Sequence, residues 1–502
     1  MAFTAPGVYI SEGPFATNVT TGPTTNAAAF LGTAARGPVT PTVVSSWNAY
    51  KSLFGQLSSE YDLGYAIYQF FANGGRTAYV TRVVGSGATN ASAGLAGAYA
   101  NASATVTKVK AANPGAWGNN LTVDVTAGLV TGQKPSFNLV VKESGTEVER
   151  WSELSLNPDD SRFVNNVVNT YSSYIRTYDT ASLAGASYTI TSVSGSALSQ
   201  GSDGASLADD SLVATQTAWD SALDTYDTVN GTLTFNLVGK TNSTIINNAI
   251  SYVEGRGNSF LIIDPSPTAT TAASASSTVA GYTASSYAAV YYPMLSMSNP
   301  AASGSAALRN TYPGGAVAGL YARVESERSV AKAPAGYSYE VRNAFGLVTT
   351  YTESEVGTLY TDNINTFKAV PGAGVIVNGA RTLKKTDVTK YITSRRTLNY
   401  IKANIDELTK FAVFEPNGER LWSQITARLS NFLGQFWGIG GLKGNNAEEA
   451  YYVTCDSTNN TNATIEQGEV HVEVGVALQT PAEFIVINVN QFIGGNSIQE
   501  TL

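Results

Sequence analysis

The spacing of apolar residues changes several times along the 502-residue chain, and those changes divide it. Residues 1–27 hold the turn formers Pro6, Gly7, Gly13, Pro14, Gly22 and Pro23 around one β-favouring piece, Val8-Tyr9-Ile10. A piece that short cannot fold alone and calls for a partner strand from elsewhere. Regular patterning begins at Ala28. A buried strand over Ala28–Leu31 precedes a helix capped by Ser46 and stopped at Gly55. A second helix, capped by Asp62, places Leu63, Ala66, Ile67, Phe70 and Phe71 on one face and stops at Gly74-Gly75. Thr77–Val84 reads as the next strand.

Residues 85–104 are almost entirely Gly, Ser, Ala and Asn, the composition of a linker or exposed crossing. Beyond them the period becomes two: Leu121, Val123 and Val125 alternate, as do Phe137, Leu139 and Val141. Residues 100–200 therefore read as a β-rich domain with one helix near Phe163–Val168, for which Asp159-Asp160 is the N-cap signal. A second Gly/Ser/Asp stretch, 194–211, closes it. Strand (Leu233, Phe235, Leu237), helix (Ile245–Val253) and strand (Phe260–Ile263) then follow, an order that implies crossovers and a largely parallel sheet. Ser266–Gly281 is a Ser/Thr/Ala run expected as an exposed loop. Tyr287–Tyr292 and Gly374–Val377 read as strands and Gly315–Ser326 as a helix of small residues.

The last third is the most strongly patterned. Tyr391, Arg395, Leu398, Ile401, Ile405 and Leu408 recur at helical spacing. After the break at Pro416-Asn417-Gly418, a second amphipathic helix carries Leu421, Trp422, Ile425, Leu429, Phe432, Leu433, Phe436 and Trp437. Val470, Val472, Val474 and Val476 alternate strictly, and Phe484–Val489 is almost continuously apolar, which implies burial on both faces. After Asn490 the chain turns polar.

Apolar residues make up 43% of the chain, enough for several cores, whereas charged residues reach only 14%. The net charge of −8 argues against nucleic-acid binding, which needs a basic face. No apolar run approaches the ~20 residues of a membrane span, and no secretion signal opens the chain. One Cys (Cys455) and one His (His471) leave no disulfide framework and no multi-His metal site, and place the chain in a reducing compartment. His471 is the one imidazole open to a Ser-His-Asp arrangement, but no Gly-x-Ser-x-Gly motif accompanies it. Gly438, Gly440, Gly441 and Gly444 around Lys443 depart from the phosphate-loop spacing and read as a helix stop. Asp203, Asp209 and Asp210 depart from the EF-hand spacing and read as a solvated acidic loop. No cofactor or metal is expected. The 27 tyrosines, on so few charges, favour a surface occupied by partners.

Several segments resemble contractile phage tail sheath proteins. At the start stands Pro6-Gly7-Val8-Tyr9-Ile10-Ser11-Glu12, followed by Ala29-Phe30-Leu31-Gly32-Thr33-Ala34 with Arg36-Gly37-Pro38, and by Phe70–Arg76. Pro114–Leu121, Pro313–Arg323 and Ser329–Gly336 continue the likeness. Gly379–Leu383, Arg395-Arg396, Phe414-Glu415-Pro416-Asn417, Leu421-Trp422, Gly440–Gly444 and Pro481–Phe484 complete it. Residues 145–230 are the weakest part of the match.

The resemblance implies an α/β and α+β multidomain chain. Its inner α+β domain is built from both chain ends, with an α/β middle domain and a β-rich, sandwich-like insertion. The expected division is an N-terminal arm (1–27), the N-terminal part of the inner domain (28–90), an outer insertion (91–230), the middle domain (231–385), the C-terminal inner domain (386–489) and a C-terminal arm (490–502). It further implies a non-enzymatic subunit of stacked hexameric rings around a tail tube, contracting on a baseplate trigger to drive the tube through the host envelope. Expected partners are further copies of the chain, the tube protein, and baseplate and tail terminator proteins, with no direct nucleic-acid contact and no membrane insertion, in a virion tail assembled in the host cytoplasm. Arm contacts between subunits would use Val8, Tyr9, Ile10, Ile485, Ile487, Val489, Gln491 and Phe492. The tube-facing candidates are Arg428, Gln435 and Lys443. Two other readings are the sheath of a type VI secretion or bacteriocin-like particle, and a hydrolase hidden in the middle domain and dependent on His471.

Overall fold

The structure, a computed structural model, describes residues 27–95, 107–131, 135–179, 192–483, 490–493 and 496–499. These divide into two compact units, one over Pro23–Arg328 and Pro334–Lys385, the other over Ser329–Ala333 and the chain from Thr386.

The first unit opens with β1 (Ala27–Gly32), β2 (Thr42–Val44), α1 (Trp47–Phe54), α2 (Leu63–Ala72) and β3 (Thr77–Arg82). Ser46 caps α1 by accepting from Ala49 N, as its side chain predicts. Asp62 does not cap α2; its carboxylate turns instead to Arg309, 2.8 Å away. An ion pair to a distant strand outcompetes the local N–H groups.

The chain then leaves for the insertion: β4 (Ser92–Gly94), β5 (Thr107–Ala111), β6 (Leu121–Ala127), β7 (Phe137–Glu143), β8 (Thr146–Leu154), α3 (Val164–Tyr171), β9 (Ile175–Asp179) and β10 (Val193–Ala197). A β4-β5-β9 sheet and a β10-β6-β7-β8 sheet, both antiparallel, enclose one core. Val109, Leu121, Val123, Phe137, Leu139, Val168 and Ile175 meet in it. The period-two pattern predicts the β-rich body, and the packing of two sheets on one core is the sandwich-like form that the resemblance implies. Asp160 holds Arg162 N in a turn before α3 rather than capping it, because Phe163 stands at the cap position.

On return come α4 (Val213–Asp224), β11 (Leu233–Leu237), α5 (Ser243–Arg256), β12 (Phe260–Ile263), α6 (Ala272–Ala280), β13 (Ala288–Tyr292), β14 (Leu295–Ser298), β15 (Leu308–Thr311), α7 (Gly314–Glu327), β16 (Ala344–Leu347), α8 (Glu353–Thr361), β17 (Ile364–Val370) and β18 (Gly374–Asn378). One eight-stranded sheet runs β18-β17-β13-β12-β11-β1-β3-β2, parallel except for its two edge strands. Its central strands β1, β11, β12 and β13 are buried along almost their whole length because helices cover both faces. Alternate residues of β1 divide between them: Ala29 and Leu31 pack with Trp219, Ile246 and Ile250, while Phe30 meets Phe70 of α2, ring centroids 5.2 Å apart.

Three expectations change here. Residues 28–90, expected in the inner domain, place β1 and β3 in the same sheet as β11–β13. The unbroken parallel register Ala29↔Phe235 leaves no domain boundary between them. The insertion does not extend to 230, since α4 packs Trp219 and Leu223 against Phe235 in the core of that sheet. Ser266–Gly281 is not all exposed loop: Thr271 and Ser274 form a reciprocal capping box, and α6 buries Ala272, Ala275 and Val279.

The second unit holds α9 (Ile392–Thr409), α10 (Glu419–Gly438), α11 (Ala447–Ala450), β19 (Tyr451–Thr454), α12 (Asn462–Glu466) and β20 (Glu473–Val476). Phe432, Leu433 and Phe436 of α10 pack with Ile401 of α9 and Ala450, and Leu421, Trp422, Ile425 and Leu429 pack with Cys455. The alternating valines form a strand only from Glu473, because the backbone of His471 is taken by Asn460. At the end of the chain, β21 (Asn490–Ile493) and β22 (Asn496–Gln499) pair with each other in antiparallel register.

Candidate assembly surfaces

The exposed side of α10 is set by its apolar stripe. Leu421, Trp422, Ile425, Leu429, Phe432, Leu433 and Phe436 recur at three- and four-residue steps and are buried. Arg420, Gln424, Ala427, Arg428, Asn431 and Gln435 consequently face out. That outward stripe is polar and carries two arginines, with one carboxylate, Glu419, exposed at the start of the helix. Arg428 and Gln435 lie on it two turns apart, about 10 Å along the axis. The Arg428 guanidinium lies 3.7 Å from the centroid of the Phe411 ring, which fixes its aliphatic stem against its own unit. Gln435 Nε2 donates to Asn431 Oδ1 at 3.3 Å.

Lys443 is exposed beyond the helix, in a turn whose shape comes from glycines. Gly440 N donates to Trp437 O at 2.8 Å and Gly441 N to Phe436 O at 2.9 Å. A Cβ on Gly441 would stand 2.5 Å from the Phe436 ring. These N–H groups are taken up in terminating the helix. Lys443 N donates to Ala477 O at 2.8 Å, so the turn is tied to the β20 side.

β19 and β20 form a two-stranded sheet in the register Val453↔Val474, and each has one strand neighbour among the described residues. The turn before α10 is also stiff: Asn417 Nδ2 donates to Glu469 O and Asn417 Oδ1 accepts from Trp422 Nε1. It presents Phe414 in left-handed backbone, φ 68°, as a residue 88% exposed. The sequence pattern marks Phe414 only as part of a motif; its exposure depends on the turn.

Of the arm candidates, Val8, Tyr9, Ile10, Ile485, Ile487 and Val489 lie outside the described residues. Gln491 and Phe492 lie in β21, with their backbones opposite Ile498 and Ser497.

The polar residues considered for chemistry have other partners. His471 Nε2 meets Glu469 Oε2 at 2.9 Å on the surface. Burial pushes the Cys455 thiol up to about 11, so it is a protonated core residue. Asp203 takes Arg82, Asp210 takes Lys240, and Asp209 accepts from Ser211. No helix among the described residues is long and apolar enough to cross a membrane.

A family model described as the phage tail sheath protein central domain matches residues 236–383, and one described as the phage tail sheath C-terminal domain matches residues 384–492. The tail sheath protein of Enterobacteria phage T4 is 26% identical over 174 residues, 34% of this chain and 26% of that protein. That of Vibrio phage KVP40 is 25% identical over 176 residues, 35% of this chain and 25% of that protein. The chain thus matches about a quarter of the length of these curated relatives. Among solved structures, the sheath of the extracellular contractile injection system PVC in its contracted state covers 98% of both chains at 21% identity and a TM-score of 0.59. The sheath tail protein of Listeria innocua covers 91% of this chain and 96% of its own at 14% identity and a TM-score of 0.62. At those identities the likeness is one of fold.

Proposed function

Because the chain belongs to the contractile tail sheath family, we propose that it is a structural subunit of a phage tail sheath. Copies polymerise as stacked hexameric rings around the tail tube, and contraction drives the tube through the host envelope during genome delivery. The observation that carries this reading is the pair of adjoining domain matches, central then C-terminal, running from residue 236 to 492 without a gap. The role is mechanical and not enzymatic, with the energy stored at assembly in contacts between subunits. Repeated contacts that do not close on themselves build a helical cylinder. Affinity between subunits comes from strands exchanged by the arms, Val8–Ile10 at one end and the Ile485–Phe492 region at the other, since added strands bind through main-chain hydrogen bonds. The α10 face and Lys443 meet the tube, and baseplate and terminator proteins meet the sheath ends. Assembly takes place in the host cytoplasm and the product is a virion tail.

Electron microscopy of the purified protein tests this directly. Long hollow cylinders with helical striations are expected; compact monomers persisting at high concentration would overturn the reading. Chains lacking residues 1–12, or everything after Asn490, are expected to fold and to stay unpolymerised, and normal cylinders from either would refute the arm mechanism. A second reading, the sheath of a related injection device, is favoured by the fold likeness to the PVC sheath over 98% of both chains. A capsid gene beside this one decides for the phage.

A further inference from the structure

Two chain crossings join the β-rich insertion to the eight-stranded sheet, and their composition reads as that of flexible linkers. The structure zips them together instead. Gly85 N donates to Asp203 O at 3.0 Å and Ala205 N to Ser86 O at 2.9 Å. Thr89 and Ser202 exchange both backbone bonds, at 2.9 and 3.0 Å, as do Ser92 and Ser199, at 2.8 and 3.1 Å. The two backbones run too close for side chains: a Cβ on Gly85 would lie 1.9 Å from Ala205 O, and one on Gly204 would lie 2.3 Å from Gly85 O. The glycines that look like flexibility in the sequence are here a condition of contact.

Two arginines rooted beside the sheet cross the same gap. Arg82, the last residue of β3 and 4% exposed, donates from Nε to Ala34 O at 2.7 Å on the sheet side. Its two terminal nitrogens donate to Pro114 O in the insertion and to Asp203 Oδ1 in the returning crossing, both at 2.5 Å. A planar fork with fixed donor directions holds three segments in one geometry, which a lysine cannot do. Arg36, also buried, lays its guanidinium 4.2 Å from the centroid of the Tyr174 ring and donates to the Tyr174 hydroxyl at 3.0 Å. Domains joined in one chain ordinarily move against each other unless a substantial interface stops them.

We propose that this neck, the zipped crossings with Arg82 and Arg36, is a rigid joint that makes the insertion and the eight-stranded sheet one body. Any rotation of the sheet in a subunit then carries the insertion through the same angle. Only that consequence for contraction rests on the sheath reading; the joint itself is a property of the single subunit.

Hydrogen exchange on the intact soluble subunit tests the joint without assembly. The amides of Thr89, Ser92, Ser199 and Ser202 are expected to exchange within about tenfold of those in β6 and β7. Exchange at the rate of open chain would overturn the joint. Arg82→Ala is expected to speed exchange at these four amides by about tenfold or more while leaving β6 and β7 unchanged, with Arg82→Lys in between. Arg150→Ala, at an exposed pair with Glu147, is the control. Should Arg82→Ala not fold, Asp203→Ala removes one arm of the clamp at an exposed position, and an unchanged neck in that variant as well as in Arg82→Lys counts against the proposal. In electron-microscopy maps of extended and contracted cylinders, the insertion should superpose on the sheet at one angle. Two angles would overturn the joint, whereas failure to form cylinders would count against the sheath reading and leave the exchange result standing.

Discussion

The side-chain amide of Asn365 pairs with both backbone groups of Arg381: Arg381 N donates to Oδ1 and Nδ2 donates to Arg381 O, each at 2.8 Å. Four other asparagines do the same, Asn73 with Arg342, Asn119 with Gly201, Asn169 with Thr177 and Asn460 with His471. A carboxamide carries the same donor and acceptor as a peptide group, so each asparagine acts as a one-residue strand where no strand fits. Asn169 thereby covers the outer edge of β9, which would otherwise invite strand addition.

Asn365 is buried and also donates to Val290 O at 3.1 Å, so Asp at this position sets a carboxylate against two carbonyls. Asn365→Asp is expected to cost about 3 kcal/mol or more and Asn365→Ala about 2 kcal/mol, whereas exposed Asn169→Ala costs about 1 kcal/mol. Urea denaturation midpoints at pH 7 check the order. Equal effects at the two sites would show that burial does not set the cost.

Helix α7 lies so near α2 that Gly315 and Gly319 have backbone where a side chain would go. A Cβ on Gly315 would meet Ala66 O at 2.1 Å and one on Gly319 would meet Phe70 O at 2.4 Å. A carbonyl in the middle of a packed helix cannot swing aside, so each Gly→Ala change is expected to destabilise by about 2 kcal/mol or more. Gly357 of α8 has nothing within 4 Å, and Gly357→Ala is expected to stabilise by up to about 1 kcal/mol through helix propensity. Thermal unfolding of the three variants should separate them by sign.

These details show where the sequence is informative and where it is not. Ala28–Leu31, Phe260–Ile263 and the α10 stripe were readable because burial on a regular element leaves a period. α6 was hidden because Ser and Thr fill its exposed face and its buried face is mostly alanine; the Thr271–Ser274 spacing was its one local signal. The pairing of β1 with β11 spans some 200 residues and an inserted domain, and no local pattern encodes a neighbour that distant. The role of Asp62 escapes local pattern for a related reason: Arg309 decides it, and Arg309 is reached only through the fold. On the assembly surfaces, the outward position of Arg428 and Gln435 followed from the period of α10, but the Phe411–Arg428 contact and the exposure of Phe414 did not.

Asp264, at the end of β12, is fully buried and accepts from Gly314 N at 2.8 Å, Gly239 N at 3.0 Å and Asn236 Nδ2 at 3.1 Å. Burial outweighs those three bonds and raises its pKa from 3.8 to about 6. The folded chain therefore holds this proton more tightly than the unfolded chain. Its contribution to stability is present below about pH 4 and is lost as pH rises to about 6, with a slope of up to about 1.4 kcal/mol per pH unit. Surface carboxylates with lowered pKa, such as Glu355 and Asp456, act in the opposite sense, so the measurement is a difference. Asp264→Asn should remove the falling component between pH 4 and 6 in urea titrations. A variant whose pH profile parallels that of the parent chain would show that Asp264 stays ionised throughout.

The α10 face makes the sharpest demand on the proposed tube contact. Its outward residues include Arg420 and Arg428 against one exposed carboxylate, Glu419 in the first turn, and Lys443 adds positive charge past the helix end. Reversing that charge at Arg428 and Lys443 should scarcely affect folding. Arg428→Glu gives up the stacking contact on Phe411, which at an exposed site costs about 0.5–1 kcal/mol, and Lys443→Glu alters an exposed side chain. If this face meets the tube, the double variant should still form cylinders alone but fail to assemble on tubes, and the parent chain's assembly on tubes should weaken as salt rises. Co-sedimentation with purified tubes, read beside micrographs of the tube-free protein, separates the two outcomes. Loss of cylinders in both settings would move these residues from the tube contact to a contact between subunits, and unaltered assembly on tubes would remove them from either.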